Sequence, residues 1–152
     1  IQNEFAIFGD VLEVTGKPDK IINQGMCGRH HDLANMDFST GQAGISLFNA
    51  TARSLPFMLE MMERHPNGSQ AFIPMKETTF LSFVAPNDDK PDLNKVEAFI
   101  IPPALGVNYK TGTWHFPLIA TENMNFLVVY SKGSGDNLKI KKLEENQVVL
   151  KY

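Results

Sequence analysis

Cysteine is all but missing from this chain. Cys27 is the only one in 152 residues, which excludes an internal disulfide and, with no nucleophile motif around it, leaves an inert small side chain. Long apolar runs are missing too. Nothing approaches the ~20 residues of a membrane-crossing helix, and the N-terminal stretch has neither the basic region nor the continuous apolar segment of a secretory signal, so the cytoplasm is the expected home. The first residue is Ile1 rather than methionine, and a few residues are expected to precede it. An excess of charge of one sign is also absent. The net charge is −3, with lysines and acids interspersed, which argues against nucleic acid as the main partner. No repeat, low-complexity tract or linker divides the chain, so one domain is expected over 1–152, burying roughly 68–70% of its unfolded surface.

What the chain has is short β-rich runs punctuated by Gly, Pro, Asn and Asp. Strands are expected at 21–23, 44–49, 57–65, 70–74, 80–85, 98–101, 106–109, 125–130 and 138–143, a spacing that reads as a sandwich or barrel. Eleven phenylalanines and seven methionines suit an interior filled from both walls. Helix is expected only at 3–8 and in a turn at 91–95, where Asp92 favours the dipole. The stretch 131–137, with Gly133 and Gly135, reads as a mobile surface loop before a basic strand. Met58, Met61 and Met62 read as packing, with Met58 and Met62 offering an apolar patch for a two-fold contact.

Polar groups that packing does not require fall in three places. In an extended 56–65, Leu59, Met61, Glu63 and His65 share one face, and Met58, Glu60, Met62 and Arg64 the other. Glu63 and His65 thus continue an apolar row, where a carboxylate and an imidazole are costly unless bonded or bound to a ligand. Pro66-Asn67-Gly68 is turn chemistry, so the chain is expected to reverse into a hairpin that brings back Gln70 and Phe72 on one face. The second place is Arg29-His30-His31-Asp32. His30 and His31 face opposite ways, and His31 is the better candidate; Arg29 could clamp a carboxylate or make a surface ion pair. The third place is Asn108-Tyr109, running on to Trp114-His115, where an amide and a phenol suit a small polar ligand and Trp114 suits packing. Lys76 is a further cation for an anionic substrate, or a solvated lysine.

The pattern Glu63-x-His65-x4-Gln70 with a distant His115 resembles the metal-binding pattern of cupins, and imidazole with carboxylate suits a divalent transition metal. A purely structural role, with Glu63 paired to Arg64 or Lys76, stands beside that reading. Over nearly its whole length the chain resembles the ureidoglycolate lyase family. The residues that carry the likeness are Phe8-Gly9-Asp10-Val11-Leu12-Glu13, Arg29-His30-His31-Asp32-Leu33-Ala34, the run from Glu63-Arg64-His65-Pro66-Asn67-Gly68 through Ser69-Gln70-Ala71-Phe72-Ile73-Pro74, Asp88-Asp89-Lys90-Pro91-Asp92-Leu93, Gly106-Val107-Asn108-Tyr109, and Trp114-His115-Phe116-Pro117. The chain departs from the family at Lys110 and Phe116, where histidine is common.

The resemblance implies a mainly β, single-domain, cupin-like double-stranded β-barrel with few short helices, usually a homodimer. It implies a lyase that eliminates urea from ureidoglycolate to leave glyoxylate in allantoin and purine nitrogen breakdown. His65 or His115 would be the base, and Glu63 would orient them or share a metal with them. Arg29 or Lys76 would hold the substrate carboxylate, with His31, Gln70, Asn108 and Tyr109 as further substrate contacts. Glu63, His65, Gln70 and His115 would surround a divalent metal, nickel or manganese, and no organic cofactor is expected. Two alternatives stay open: a non-catalytic barrel that binds a small acid, and another enzyme on the same barrel, such as a sugar-nucleotide isomerase or an oxygenase.

Overall fold

The computed structural model describes residues 1–133 and 135–144, with the backbone of 149–150. A single helical turn, α1 (Gln2–Phe5), precedes the described strands: β1 (Gly9–Leu12), β2 (Lys20–Ile22), β3 (Cys27–Arg29), β4 (Gln42–Ala50), β5 (Phe57–Met58), β6 (Met61–Arg64), β7 (Gln70–Pro74), β8 (Phe80–Ala85), β9 (Glu97–Ile101), β10 (Gly106–Tyr109), β11 (Trp114–His115), β12 (Ile119–Ala120), β13 (Met124–Lys132), β14 (Lys139–Lys142) and β15 (Val149–Leu150). One sheet has the order β1-β10-β7-β13-β4, the other β12-β8-β11-β6-β14, with β9 on the free side of β8. All the pairings are antiparallel. The result is the expected mainly β, cupin-like barrel.

The barrel is filled where alternation puts aromatics on both inner faces. Phe72, Phe80, Phe99 and Phe126 meet between the sheets with Phe5 and Phe8, edge to face at 5.1 Å for Phe80–Phe126 and 5.2 Å for Phe5–Phe99, the geometry that ring quadrupoles favour. β8 is buried on both faces. Phe80 and Val84 point into this core, while Leu81 and Phe83 join Leu59, Phe116 and Ile119 in a second cluster on the sheet's outer side. Such two-sided burial explains why the run Phe-Leu-Ser-Phe-Val-Ala is apolar rather than alternating.

Several expectations change. The expected 57–65 strand breaks at Leu59–Glu60 into β5 and β6, which lie in different sheets. The expected hairpin is a crossing instead: β6 belongs to one sheet and β7 to the other. Its backbone groups bond outward, with Gly112 N donating to His65 O at 2.8 Å, Asn67 N to Asn137 Oδ1 at 2.7 Å and Ser69 N to Asp37 O at 2.8 Å. Gly68 serves close approach, since a Cβ there would lie 2.4 Å from Ser131 Cβ. The helix expected at 3–8 is the shorter α1, and 91–95 is a 3₁₀ turn, Leu93–Lys95, capped by Asp92, whose side chain accepts from Asn94 N. Met62 is fully buried beside Ala85 and Trp114, so it offers no patch to a partner. The expected loop at 131–137 begins inside β13, and its far end grips the site through Asp136 and Asn137; Ser134 lies outside the described residues.

Candidate active site

Register brings the site together across both walls. In the second sheet His115 pairs with Glu63 on one side and Val84 on the other, and all three turn inward. In the first sheet Tyr109 pairs with Gln70, so the two share a face. The Tyr109 ring stacks on His115 at 4.4 Å and 15°, which joins the walls. Its hydroxyl meets Ser82 Oγ at 2.8 Å.

At the centre, Glu63 Oε1 lies 3.5 Å from His115 Nε2 and 3.8 Å from His65 Nε2, beyond hydrogen-bond reach in both cases. His65 Nδ1 is 2.7 Å from Asn137 O, and His115 Nδ1 is 3.0 Å from Thr113 O. A carbonyl oxygen can only accept, so Nδ1 carries a proton on each ring. In the neutral imidazoles Nε2 is then a lone pair aimed at the carboxylate. Both Nε2 atoms and the buried Gln70 Oε1 have no hydrogen-bond partner. Several acceptors therefore converge with no donor among them, an arrangement that calls for a cation, either protons or a metal ion.

The electrostatics follow from that convergence. Burial works to raise the Glu63 carboxyl, but His115 and then His65 overcome it and hold it at about 2. Burial works to lower the His65 imidazole, and Glu63, the Asn137 carbonyl and Gln70 outweigh it, leaving His65 raised. Burial pushes the Tyr109 phenol up, so it stays neutral. In the ion-free cluster Glu63 thus favours a proton on His65.

The residues also fit a metal. One ligand atom each from Glu63, His65 and His115 lies within 4.8 Å of the others, and both imidazoles have the Nδ1–H to carbonyl bond that typically orients a ligating histidine. Two nitrogens and a carboxylate suit a divalent transition metal.

The remaining candidates lie elsewhere. Asn108 is buried, but next to Tyr109 on one strand it must face the opposite side. Its Nδ2 donates to Asp10 Oδ2 at 2.9 Å and Asn35 O at 3.3 Å, so it pins the 35–37 segment on the sheet's outer side. Arg29 and His31 are exposed on or just after the β2–β3 ribbon, which pairs with no other strand among the described residues, and His31 N donates to Asp19. Lys76 lies beyond the far end of β7, about 20 Å along the chain from Gln70 at strand rise, and pairs with Glu122. Arg64 is turned outward over Trp114, so neither it nor Lys76 neutralises Glu63. Sequence reasoning missed Ser82, whose only signal was a hydroxyl inside an apolar strand, and the Asn137 and Thr113 carbonyls, which had none.

The two departures from the family pattern leave the cluster whole. Lys110 is exposed and donates to Ala6 O, and Phe116 sits in the outer cluster. The non-catalytic alternative loses the observation that favoured it.

Barrel and cluster together define a cupin-like β-barrel with a Glu-His-His cluster between its walls. A family model described as ureidoglycolate lyase matches residues 1–150. The chain is 47% identical to a ureidoglycolate lyase of Rhodobacter capsulatus over 89% of its length and 84% of that protein's. It is 43% identical to that of Pseudomonas syringae pv. tomato over 96% and 88%, and 38% identical to that of Escherichia coli over 97% and 92%. The chain belongs to the ureidoglycolate lyase family.

Proposed function

We propose that this chain eliminates urea from ureidoglycolate to give glyoxylate, with Glu63, His65 and His115 as the reacting centre. The observation that supports the site assignment is the meeting of Glu63 Oε1 with two imidazole lone pairs and no donor between them. Family membership supplies the substrate. The substrate carries a hydroxyl, a ureido group and a carboxylate on one carbon. Losing urea requires that the hydroxyl proton leaves as the carbonyl forms, and that a proton reaches the urea nitrogen as the C–N bond breaks.

Glu63, His65 and His115, with Gln70 as a weak fourth, would hold a divalent ion, and we assign nickel or manganese from the family likeness. Such an ion, when bound, supplies a Lewis acid for the hydroxyl or carboxylate oxygen. In the ion-free site the proton carrier is His65, 18% exposed against 1% for His115. One lone pair serves one cation, so His65 Nε2 holds either an ion or a proton, and metal dependence of the rate separates the two uses. Tyr109 fixes the His115 ring by stacking, and Gln70 is assigned to the ureido group when it is not a ligand. The cluster holds no lysine or arginine among the described residues, so an ion held there would also supply the positive charge that the substrate carboxylate needs.

No described helix is long and apolar enough to cross a membrane; we assign the enzyme to the cytoplasm and to a homodimer. The face assigned to the second copy is the outer side of β4 and β13, where Ile45 and Leu47, 69% and 64% exposed, lie opposite Val129 and Leu127. Light scattering should give particles of twice the 17.0 kDa chain mass.

The test is glyoxylate and urea release from fresh ureidoglycolate, corrected for spontaneous decay. Equal amounts of both products are expected, with His65→Ala and His115→Ala each slower by about 10²-fold or more. Wild-type rates in both variants would remove this assignment.

A further inference from the structure

We propose that the groove beside Arg53, at the seam between the end of β4 and residues 116–118, is a binding site for a small organic carboxylate separate from the Glu63 cluster. The chain has three arginines, Arg29, Arg53 and Arg64. Arg64 is committed, its guanidinium 5.1 Å from the Trp114 ring and its Nη1 donating to Asn87 at 2.7 Å. Arg53 is held differently. Its guanidinium carbon sits 4.6 Å from the Phe57 ring centroid and 5.6 Å from that of Phe116. Ring faces attract the cation but satisfy none of its in-plane N–H groups. Among the described residues no carboxylate, carbonyl or amide oxygen is bonded to that guanidinium.

Arg53 is an exposed residue whose backbone is held by its neighbours. Ala52 N donates to Asn123 Oδ1 at 2.9 Å and Arg53 N to Ala120 O at 3.0 Å, so the backbone beneath the side chain is tied down on both sides. The guanidinium borders an open groove of about 480 Å³ between residues 48–53 and 116–118, whose lining among the described residues contains no acid and no other cation. One wall is a bulge. From His115 to Ile119 the chain takes four steps where its partner β8 takes three, from Val84 to Leu81; Phe116 N still donates to Phe83 O at 3.0 Å, so the extra residue is taken up at 117–118.

A guanidinium flanked by two rings, with no bonded oxygen and no acid in the groove among the described residues, matches the planar bidentate geometry of a carboxylate. The ligand class is a small monocarboxylate, glyoxylate and ureidoglycolate included. The Phe116 side chain leaves its strand on the face away from the inward His115, while Phe48, Ala50 and Leu118 in the lining pack against the interior, so the groove lies at the seam between β4 and the second sheet.

The experiment follows the amide resonances of Phe116 and Leu118 while acetate, glyoxylate or chloride is added. Saturable shifts are expected with both carboxylates, in the wild type and in His65→Ala alike. Binding should weaken at least tenfold in Arg53→Gln and severalfold in Phe116→Leu. If Arg53→Gln melts early, Arg53→Lys, which keeps the charge without the fork, takes its place and should also bind severalfold more weakly. Unchanged binding in the Arg53 variants, loss of binding in His65→Ala, or equal binding of chloride as an adventitious ion only would each overturn the proposal. Because the readout is binding, an absence of urea release would leave it standing.

Discussion

Two halves of one barrel interior behave as opposites. On β7, Phe72 packs edge to face against Phe126 and Tyr109, while Gln70, two residues and about 7 Å away, keeps a buried oxygen without a partner. On the other wall, Phe80 meets Phe126, while His115 and Glu63 face each other as acceptors. The same inward faces thus carry an aromatic half and a polar half whose acceptors have no hydrogen-bond donor. Unsatisfied buried acceptors cost stability, and the aromatic half offsets that cost. Packing and chemistry are separated by position along the strand rather than by separate elements.

That contrast breaks most visibly under truncation at the two ends. Removing the His115 ring should slow urea release by about 10²–10⁴-fold, some 3–5 kcal/mol of barrier, in a protein that stays folded. Phe126→Ala should do the reverse, with a loss of about 3–5 kcal/mol in denaturant unfolding and near-normal turnover of the folded fraction. An equal effect of both variants on both readouts would erase the division.

A smaller effect concerns pH in the metal-free protein. The Glu63 carboxyl is depressed, so its stabilising contribution is present above the ordinary carboxylate value and fades as pH falls toward about 2. His65 is raised, so its contribution is complete below the usual imidazole value and is lost as pH climbs through the raised one. Melting temperature should therefore crest between the two, and His65→Gln should flatten the alkaline side. A wild-type curve with no alkaline fall would contradict the pairing. Least of all should Lys110→His matter: it lies outside the cluster, and its rate and stability should stay within about 0.5 kcal/mol of the parent.

Much of this was legible in the sequence. Strands β7, β8 and β10 fall on their expected residues, since alternation and unbroken apolar runs reflect how many faces are buried. Glu63, His65, Gln70 and His115 do meet, because inward parity along a strand survives whichever sheet the strand joins. What turn chemistry could not convey was the destination: Pro66-Asn67-Gly68 signals a change of direction, but the bonds from Asp37, Gly112 and Asn137 that carry it between sheets come from distant segments. Asn108 and Tyr109 could not both face the site, a parity conflict readable from adjacency alone. Lys76 shared a face with Gln70 but lay too far along the strand. Arg53 had no motif at all, only rings that the fold brings beneath it.

The most direct test of the central claim is titration of nickel and manganese into metal-stripped protein, with urea release followed on the same samples. The account predicts one ion per chain, a rate that rises with occupancy, and loss of both in Glu63→Gln. Full activity in the stripped wild type with no saturable binding would show that protons alone fill the gap between Glu63, His65 and His115.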